Sequence, residues 1–294
     1  MAITLNLEAP RRVGVEELID FVAHEIDLRD PQNILAAAPL LSGLAEDREL
    51  VTRRLNEEVR RLFKGPALSS AQSLFLGGGK GFYLRANLWP PAADIAGGLV
   101  TRDRFSYDLA HDHNYNFLTV GYSGPGYCSD IYEYDRETLS GEPGEPVALR
   151  FLERVHFRTG MVMFYRASKD VHIQYPPEDL SISLNLMVAD AHTRLRDQLF
   201  FDLERRVLLD YPASADISKR VSILRLAGRI GDQNTRQLLS DLASRHPCQR
   251  TRWACYEALA EGASCTAAVW ETACRDPAPL VAGRARRRLV TLAA

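Results

Sequence analysis

Three histidines are the side chains of this chain best suited to do chemistry: His111 and His113, in Ala110-His111-Asp112-His113-Asn114-Tyr115, and His172, in Lys169-Asp170-Val171-His172. On a strand, residues i and i+2 project to the same face, so the first two can present their imidazoles to one point. Neutral imidazole is the commonest nitrogen ligand for iron, zinc, copper and nickel, and a third ligand from a distant strand would leave coordination positions open for reactants. The other histidines, His24, His156, His192 and His246, form no comparable cluster. Taken alone, a His-x-His pair is more often two polar strand residues with surface partners. His172 tips the reading toward a metal site.

Other reactive side chains carry weaker signals. Tyr115, Asn116, Tyr122, Tyr127, Tyr132 and Tyr134 crowd the segment after the histidine pair; most read as strand packing, and one phenol near a metal could position a substrate or donate a proton. Gly77-Gly78-Gly79-Lys80-Gly81 lacks the spacing of a phosphate loop and leads into a strand, so it reads as a flexible loop. Five cysteines form no CxxC motif, and an odd number with no signal peptide argues against a disulfide framework. Cys128 follows the histidine pair closely enough to approach the site, though a buried spectator is the commoner role. No GxSxG elbow is present, which leaves nucleophilic hydrolysis unsupported.

The elements that must position these groups fall into three regions. A chain of 294 residues, 46% hydrophobic and 25% charged, has the length of about two domains of an ordinary globular protein. Residues 1–66 show helical periodicity at 15–22, 34–44 and 50–63, with Asp30-Pro31 reading as an N-cap and first-turn proline. Residues 67–192 turn strand-like, with candidate strands at 82–89, 95–101, 117–122, 130–134, 148–157, 161–165, 171–174 and 181–188. Eight short strands with no helices between them predict a sandwich or barrel, read here as a double-stranded β-helix.

From residue 193 to 294 the pattern is read as helical throughout, with helices at 220–231, 235–245, 250–261, 266–275 and 280–292. His246-Pro247 and Asp276-Pro277 open similar Ala/Leu helices 30 residues apart, a period that resembles short HEAT repeats. Such an array would offer a docking surface for a protein partner. The basic run Arg284, Arg286, Arg287 and Arg288 reads rather as a solvated helix face than as a nucleic-acid site.

The strand region carries a family resemblance. Thr159-Gly160-Met161-Val162-Met163-Phe164-Tyr165, then Val171-His172-Ile173-Gln174-Tyr175-Pro176-Pro177, then Leu180-Ser181-Ile182-Ser183-Leu184-Asn185-Leu186, resembles the closing half of a cupin-type oxygenase barrel. Phe82-Tyr83-Leu84-Arg85-Ala86-Asn87-Leu88-Trp89-Pro90-Pro91 is similar to an early strand of the iron- and 2-oxoglutarate-dependent branch. The resemblance implies a metal barrel with His111, His113 and His172 as ligands and iron(II) as the metal. The sequence departs from the oxygenase pattern, since His113 stands where a carboxylate is usual, and Phe117 and Leu118 stand where the general pattern has glutamate. The resemblance also allows a three-histidine site, as in thiol dioxygenases; Asp112 is the obvious carboxylate but would point away on an ordinary strand, and Asp130 or Glu133 could complete the site after folding. The cation that grips 2-oxoglutarate in that branch is missing from residues 179–183, leaving Lys80, Arg85, Arg104, Arg150 and Arg166 as candidates and 2-oxoglutarate as a minority cosubstrate.

The reading is therefore an α+β protein: a cupin-like double-stranded β-helix flanked by an N-terminal helical segment and a C-terminal HEAT-like α-solenoid. Its expected function is that of a non-haem iron oxygenase tailoring a small molecule or peptide, with Arg85, Tyr115 and Arg166 holding substrate at the barrel mouth. The alternatives are a metal-dependent isomerase, cyclase or hydrolase on the same barrel, and a non-catalytic peptide-binding scaffold. A formal net charge of −2 disfavours nucleic acid, and the absence of a long apolar run disfavours a membrane span, so the expected setting is the cytoplasm. A homodimer remains open, because sheet edges and the helical array could both bury surface against a second copy.

Overall fold

The computed structural model describes residues 2–5, 7, 11–63, 65, 69–70, 72–97, 105–189, 193–213, 215–261, 263 and 265–293. The chain divides into two compact units, Met1–Tyr134 with Ala148–Ala191, and Asp135–Val147 with His192–Ala294. Residues 135–147, which lie within the barrel's stretch of sequence, thus group with the C-terminal helices.

The first unit opens with a short strand, β1 (Ile3–Leu5), and four helices: α1 (Val15–Glu25), α2 (Pro31–Ile34), α3 (Ala38–Leu44) and α4 (Leu50–Arg61). Asp30 caps α2 as its sequence suggests, its side chain accepting from the Gln32 amide ahead of Pro31 in the first turn. Among the described residues, nine further strands and one short helix follow: β2 (Ser73–Gly79), β3 (Phe82–Trp89), α5 (Ala92–Ala96), β4 (Ala110–Asp112), β5 (Phe117–Ser123), β6 (Tyr127–Glu133), β7 (Arg150–Phe157), β8 (Val162–Tyr165), β9 (Asp170–Gln174) and β10 (Ser181–Val188).

In one sheet the strand order is β1-β8-β5-β10-β3-β2, and in the other β4-β9-β6-β7 run side by side, all pairs antiparallel. Numbering the eight strands from β3 to β10 in chain order, the sheets read first-eighth-third-sixth and second-seventh-fourth-fifth. That alternation is the jelly-roll order of a double-stranded β-helix, the architecture of a cupin-type barrel. Strands distant in sequence become neighbours only because the chain winds between the sheets.

The larger sheet has two unlike buried faces. Phe82, Leu84 and Ala86 of β3, Leu118, Val120 and Tyr122 of β5, Val162 and Phe164 of β8, and Leu184 and Leu186 of β10 pack with Leu18, Ile34, Leu41 and Leu44 of the helices. The alternate residues Tyr83, Trp89, Phe117, Met163, Tyr165 and Met187 belong to a second cluster with Tyr127, Ile131 and Phe157 of the facing sheet. Period-two alternation therefore separates a helix-covered face from a barrel-facing one.

Three expectations need correcting. The strand expected at 95–101 begins as the helix α5, set by Pro91 at its N-cap position; residues 98–101 lie outside the described residues. The triple glycine is no loop: Gly77, Gly78 and Gly79 pair with Leu84, Tyr83 and Phe82 inside β2. Glycine is needed there, since a Cβ on Gly78 would lie 2.8 Å from the Phe82 carbonyl oxygen and one on Gly77, at φ +155°, 2.7 Å from Ile19. The C-terminal unit is also not helical throughout, because the strands β11 (Phe200–Asp202) and β12 (Val207–Asp210) form a hairpin before the helices.

That unit continues with α6 (Asp216–Ile230), α7 (Gln233–Arg245), α8 (Gln249–Glu261), α9 (Thr266–Ala273) and α10 (Pro279–Ala293). Helix α8 packs against α6, α7, α9 and α10, and a Cβ on Gly228 would lie 2.7 Å from Ala258 Cα, so glycine sets the close approach of α6 and α8. Three of the four arginines in the basic run are partnered within the unit: Arg284 and Arg287 reach Glu142, and Arg288 reaches Glu257. Among the described residues no helix is long and apolar enough to cross a membrane.

The contact between sheet and helices should dominate the stability of the first unit. Leu118 is fully buried there, and Leu118→Ala should cost about 2–5 kcal/mol in chemical denaturation by combining lost burial with a residual cavity. A loss below about 1 kcal/mol would mean that this layer is loosely packed.

Candidate metal centre

The central geometry comes from one strand pair. β4 lies antiparallel to β9 with His111 directly opposite His172. His113 lies just past the end of β4, where its carbonyl accepts a 2.7 Å hydrogen bond from the Ser168 amide and so keeps the i, i+2 relation that the sequence suggested. The Nε2 atom of His172 is 3.0 Å from Nε2 of His111 and 3.0 Å from Nε2 of His113. The three form a group able to hold a metal ion, with ligand atoms all within 4.8 Å of one another.

Without a cation, His172 Nε2–H can donate to only one of its two imidazole neighbours at a time, whereas one ion would satisfy all three nitrogens. Nitrogens each about 2.1 Å from a common ion and at right angles to one another lie about 3.0 Å apart. The two 3.0 Å separations from His172 fit neighbouring ligands of one ion, with further positions open. The donor set suits iron, zinc, copper or nickel.

His111 Nδ1 lies 2.8 Å from the Leu109 carbonyl oxygen. Nδ1–H must therefore donate to it, which leaves the lone pair on Nε2, the usual outer-sphere orientation of a ligating histidine. Packing orients the other two: the His113 ring lies 4.9 Å from Tyr115 and 4.9 Å from Phe117, and the His172 ring lies 5.0 Å from Tyr165. Their Nδ1 atoms are buried without a hydrogen-bond partner.

Burial lowers the pKa of His111, with partial opposition from the Leu109 hydrogen bond. Burial holds His113 and His172 well below the ordinary imidazole range, reinforced by the neighbouring histidines and, at His113, by Arg85. All three are thus kept neutral, the form in which imidazole binds metal.

None of the proposed carboxylates belongs to the group. Asp112 points to the other side of its strand and accepts from the Tyr134 hydroxyl at 2.6 Å. Asp130 is bound by Arg154 and Tyr175, and Glu133 by Arg150 and Arg166. The ligand set is neutral.

The residues expected at the barrel mouth divide. Arg166 is held by Asp170 and Glu133, so its guanidinium already has carboxylate partners. Arg85 and Tyr115 do meet: the guanidinium lies close enough to oppose the burial-driven rise of the Tyr115 pKa and to lower that of His113. His111 and His172 are buried, whereas His113, Tyr115 and Arg85 are only partly so, which places the approachable side of the cluster at these three. Lys80 is exposed, Arg104 lies outside the described residues, and Cys128 is exposed.

Several polar residues facing the barrel escaped the sequence reading. Thr119 donates to Asn185 at 2.7 Å, Trp89 to Ser183 at 3.1 Å, and the Asn87 carbonyl oxygen is buried without a partner. A signal was present: Ser181, Ser183 and Asn185 alternate with Ile182, Leu184 and Leu186, a pattern ordinarily taken as a solvent-facing side.

No family model and no curated protein sequence matches the chain. Among solved structures, a cupin domain from Bordetella pertussis Tohama I is 10% identical, over 43% of this chain and 100% of that one, with a TM-score of 0.22. The DMSP lyase from Ruegeria pomeroyi DSS-3 is 11% identical, over 42% of this chain and 44% of that one, with a TM-score of 0.22. A cupin-like protein from Thermotoga maritima MSB8 is 9% identical, over 46% and 80%, with a TM-score of 0.22. The matched region spans half or less of the DMSP lyase chains. With overlaps this low, the fold assignment stands on the strand order of the chain itself.

Lowered histidine pKa values make stability depend on pH. Below the ordinary value of about 6.5 the unfolded chain takes up protons that the folded chain resists, so their contribution is intact above that pH and declines as pH falls through it. Urea midpoints of the metal-free protein should drop between about pH 7.5 and 5.5, and the drop should shrink in His172→Asn. Equal pH dependence in both proteins would mean that His172 is not held neutral by burial.

Proposed function

We propose that this chain is a metal-dependent barrel enzyme, and specifically a non-haem iron oxygenase that tailors a small molecule or peptide. The convergence of three neutral histidines, with Nε2 of His172 3.0 Å from Nε2 of both His111 and His113, carries this reading. Iron(II) bound there would supply the one-electron chemistry that dioxygen needs to react with a spin-paired organic substrate.

The chain's own residues do the remaining work. His111, His113 and His172 would hold the ion as neutral ligands on one side, leaving the side toward Tyr115 and Arg85 for substrate. Burial pushes the Tyr115 pKa up to about 12, so its phenol stays protonated at neutral pH and can donate a hydrogen bond or a proton to a bound molecule. Phe117 and Tyr165, stacked with centroids 4.6 Å apart, wall the cluster with apolar surface. 2-Oxoglutarate remains an optional cosubstrate, for which Arg85 is the best-placed cation.

The absence of a carboxylate ligand favours one second reading. A divalent ion held by three neutral ligands keeps its full charge and is a strong Lewis acid, as a non-oxidative lyase, isomerase or hydrolase would need. We further infer that α6, α8 and α10 stack with α7 and α9 between them as a short HEAT-like array able to dock a protein partner.

Elemental mass spectrometry of the purified protein and of a His111→Ala, His172→Ala double variant tests the proposal. Near-stoichiometric iron that is lost in the variant is expected. Zinc in its place, with turnover indifferent to dioxygen, would move the assignment to Lewis-acid chemistry. No metal in either protein after anaerobic reconstitution would discard the enzyme reading in favour of a binding scaffold.

A further inference from the structure

Helix α6 is apolar on two opposite sides. Ile217, Val221 and Leu224 pack inside the helical unit, on the side where Gly228 meets Ala258 of α8. At about 100° per residue, Ile223, Leu226 and Ile230 fall on the far side of the same helix. There they are 67%, 55% and 75% exposed, and α7 leaves Leu238 and Leu242 exposed as well. A surface helix ordinarily turns charged residues to water on the side away from its core. The end repeat of a stacked array likewise carries a polar outer face. Helix α6 is the first of the five helices that follow the β11–β12 hairpin, and its outer face is hydrocarbon.

The charges around this stripe are of one sign. Among the residues one turn away from it, at i±3 and i±4, three are cations, Lys219, Arg220 and Arg229, and none is a carboxylate. Lys219 reaches Asp216 at 3.7 Å and Arg229 reaches Glu261 at 3.0 Å, but both pairs are exposed and therefore weak. Arg220 donates to the Thr251 hydroxyl and to the Arg194 carbonyl, both uncharged, and no ion pair among the described residues includes it. The excess extends beyond α6: residues 216–293 hold 13 lysines and arginines against 7 aspartates and glutamates, in a chain whose net charge is −2.

These features select among occupants. An apolar stripe at i, i+3 and i+7 bordered by cations matches an amphipathic helix whose flanks are acidic. A second copy of this face would bring the same cations to the interface, where like charges repel. An anionic lipid surface takes Trp and Phe anchors, and the exposed stripe of α6 has neither.

We propose that the outer face of α6, widened by Leu238 and Leu242 of α7, docks an acidic segment of a partner protein. The segment lies on the face as a helix, with apolar residues against Ile223, Leu226 and Ile230 and with Asp or Glu beside Lys219, Arg220 and Arg229. The proposal rests on the docking reading of the helical array and is independent of the metal reading.

Fluorescence anisotropy on the full-length protein tests it with three labelled peptides of three heptads each. One carries Leu at a and d with Glu at e and g, the second has Lys in place of Glu, and the third is a permutation of the first with no apolar stripe. The acidic amphipathic peptide should bind at least about tenfold more tightly than either of the others. Ile223→Ser combined with Ile230→Ser should weaken that binding about tenfold or more. Lys219→Glu combined with Arg229→Glu should reverse the preference toward the basic peptide. Circular dichroism and thermal midpoints close to wild type would show that both double variants fold.

Binding of the acidic peptide that both folded variants leave unchanged would place the dock elsewhere on the array, overturning this face and sparing the docking reading. Binding of none of the three peptides would overturn both. Equal binding of the basic or permuted peptide would overturn the acidic partner. Binding of phosphatidylserine vesicles in place of the peptides would overturn it in favour of a membrane surface, and a sedimenting dimer that the Ile223→Ser, Ile230→Ser variant dissociates would overturn it in favour of a second copy.

Discussion

The pairing of β4 with β9 is the constraint on which the site depends. It brings His111 and His172, 61 residues apart in the chain, to 3.0 Å between their Nε2 atoms. Neither strand is long, and neither would hold the other in isolation, since a two-stranded ribbon is at best marginally stable in water. β9 is held on its other side by β6, which is in turn paired with β7. The histidine cluster is therefore a property of the closed jelly roll. Local sequence supplies the ligands, and strand order supplies their meeting point.

The larger sheet shows how a barrel can afford a polar interior. Its apolar side chains face outward into a layer of helices, where they replace water with dense hydrocarbon contact. Its inner side is then free to carry Arg85, Asn87, Thr119, Ser183 and Asn185 among aromatic residues. Polar groups in such a place need partners, and most have them, as in the Thr119–Asn185 and Trp89–Ser183 pairs. The exceptions include Arg85 Nε, Asn87 Oδ1 and the Nδ1 atoms of His113 and His172. All four residues are on or beside strands that line the barrel, where a bound molecule could satisfy them.

The helical unit obeys a different economy. Its arginines are placed for internal structure: Arg252 meets Asp276 at 2.8 Å, Arg250 meets Asp197 at 2.5 Å and lies over the Tyr211 ring, and Arg284 meets Glu142 while lying over Trp253. Within the basic run, Arg284, Arg287 and Arg288 have carboxylate partners, while Arg286 is exposed.

Local rules made much of this legible in the sequence. The helices between residues 15 and 63 and between 220 and 292 followed from their helical periodicity and breaks, and β3 and β10 from runs of aromatic and β-branched residues between turn residues, because both signals lie within one element. The grouping of His111 with His113 followed from strand geometry, and the neutral three-histidine set from the residue types present. Tertiary structure alone decided the rest. It chose which face of each strand was interior, since alternating polar residues look the same facing water or facing a barrel lumen. It made a strand of Gly77–Gly79, because part of the need for glycine arises from Ile19, which helix α1 brings against Gly77. It separated Arg85 from Arg166, two arginines alike in sequence, by giving one of them carboxylate partners and placing the other beside His113. Partner and burial are set by long-range packing, to which a single sequence has no local guide.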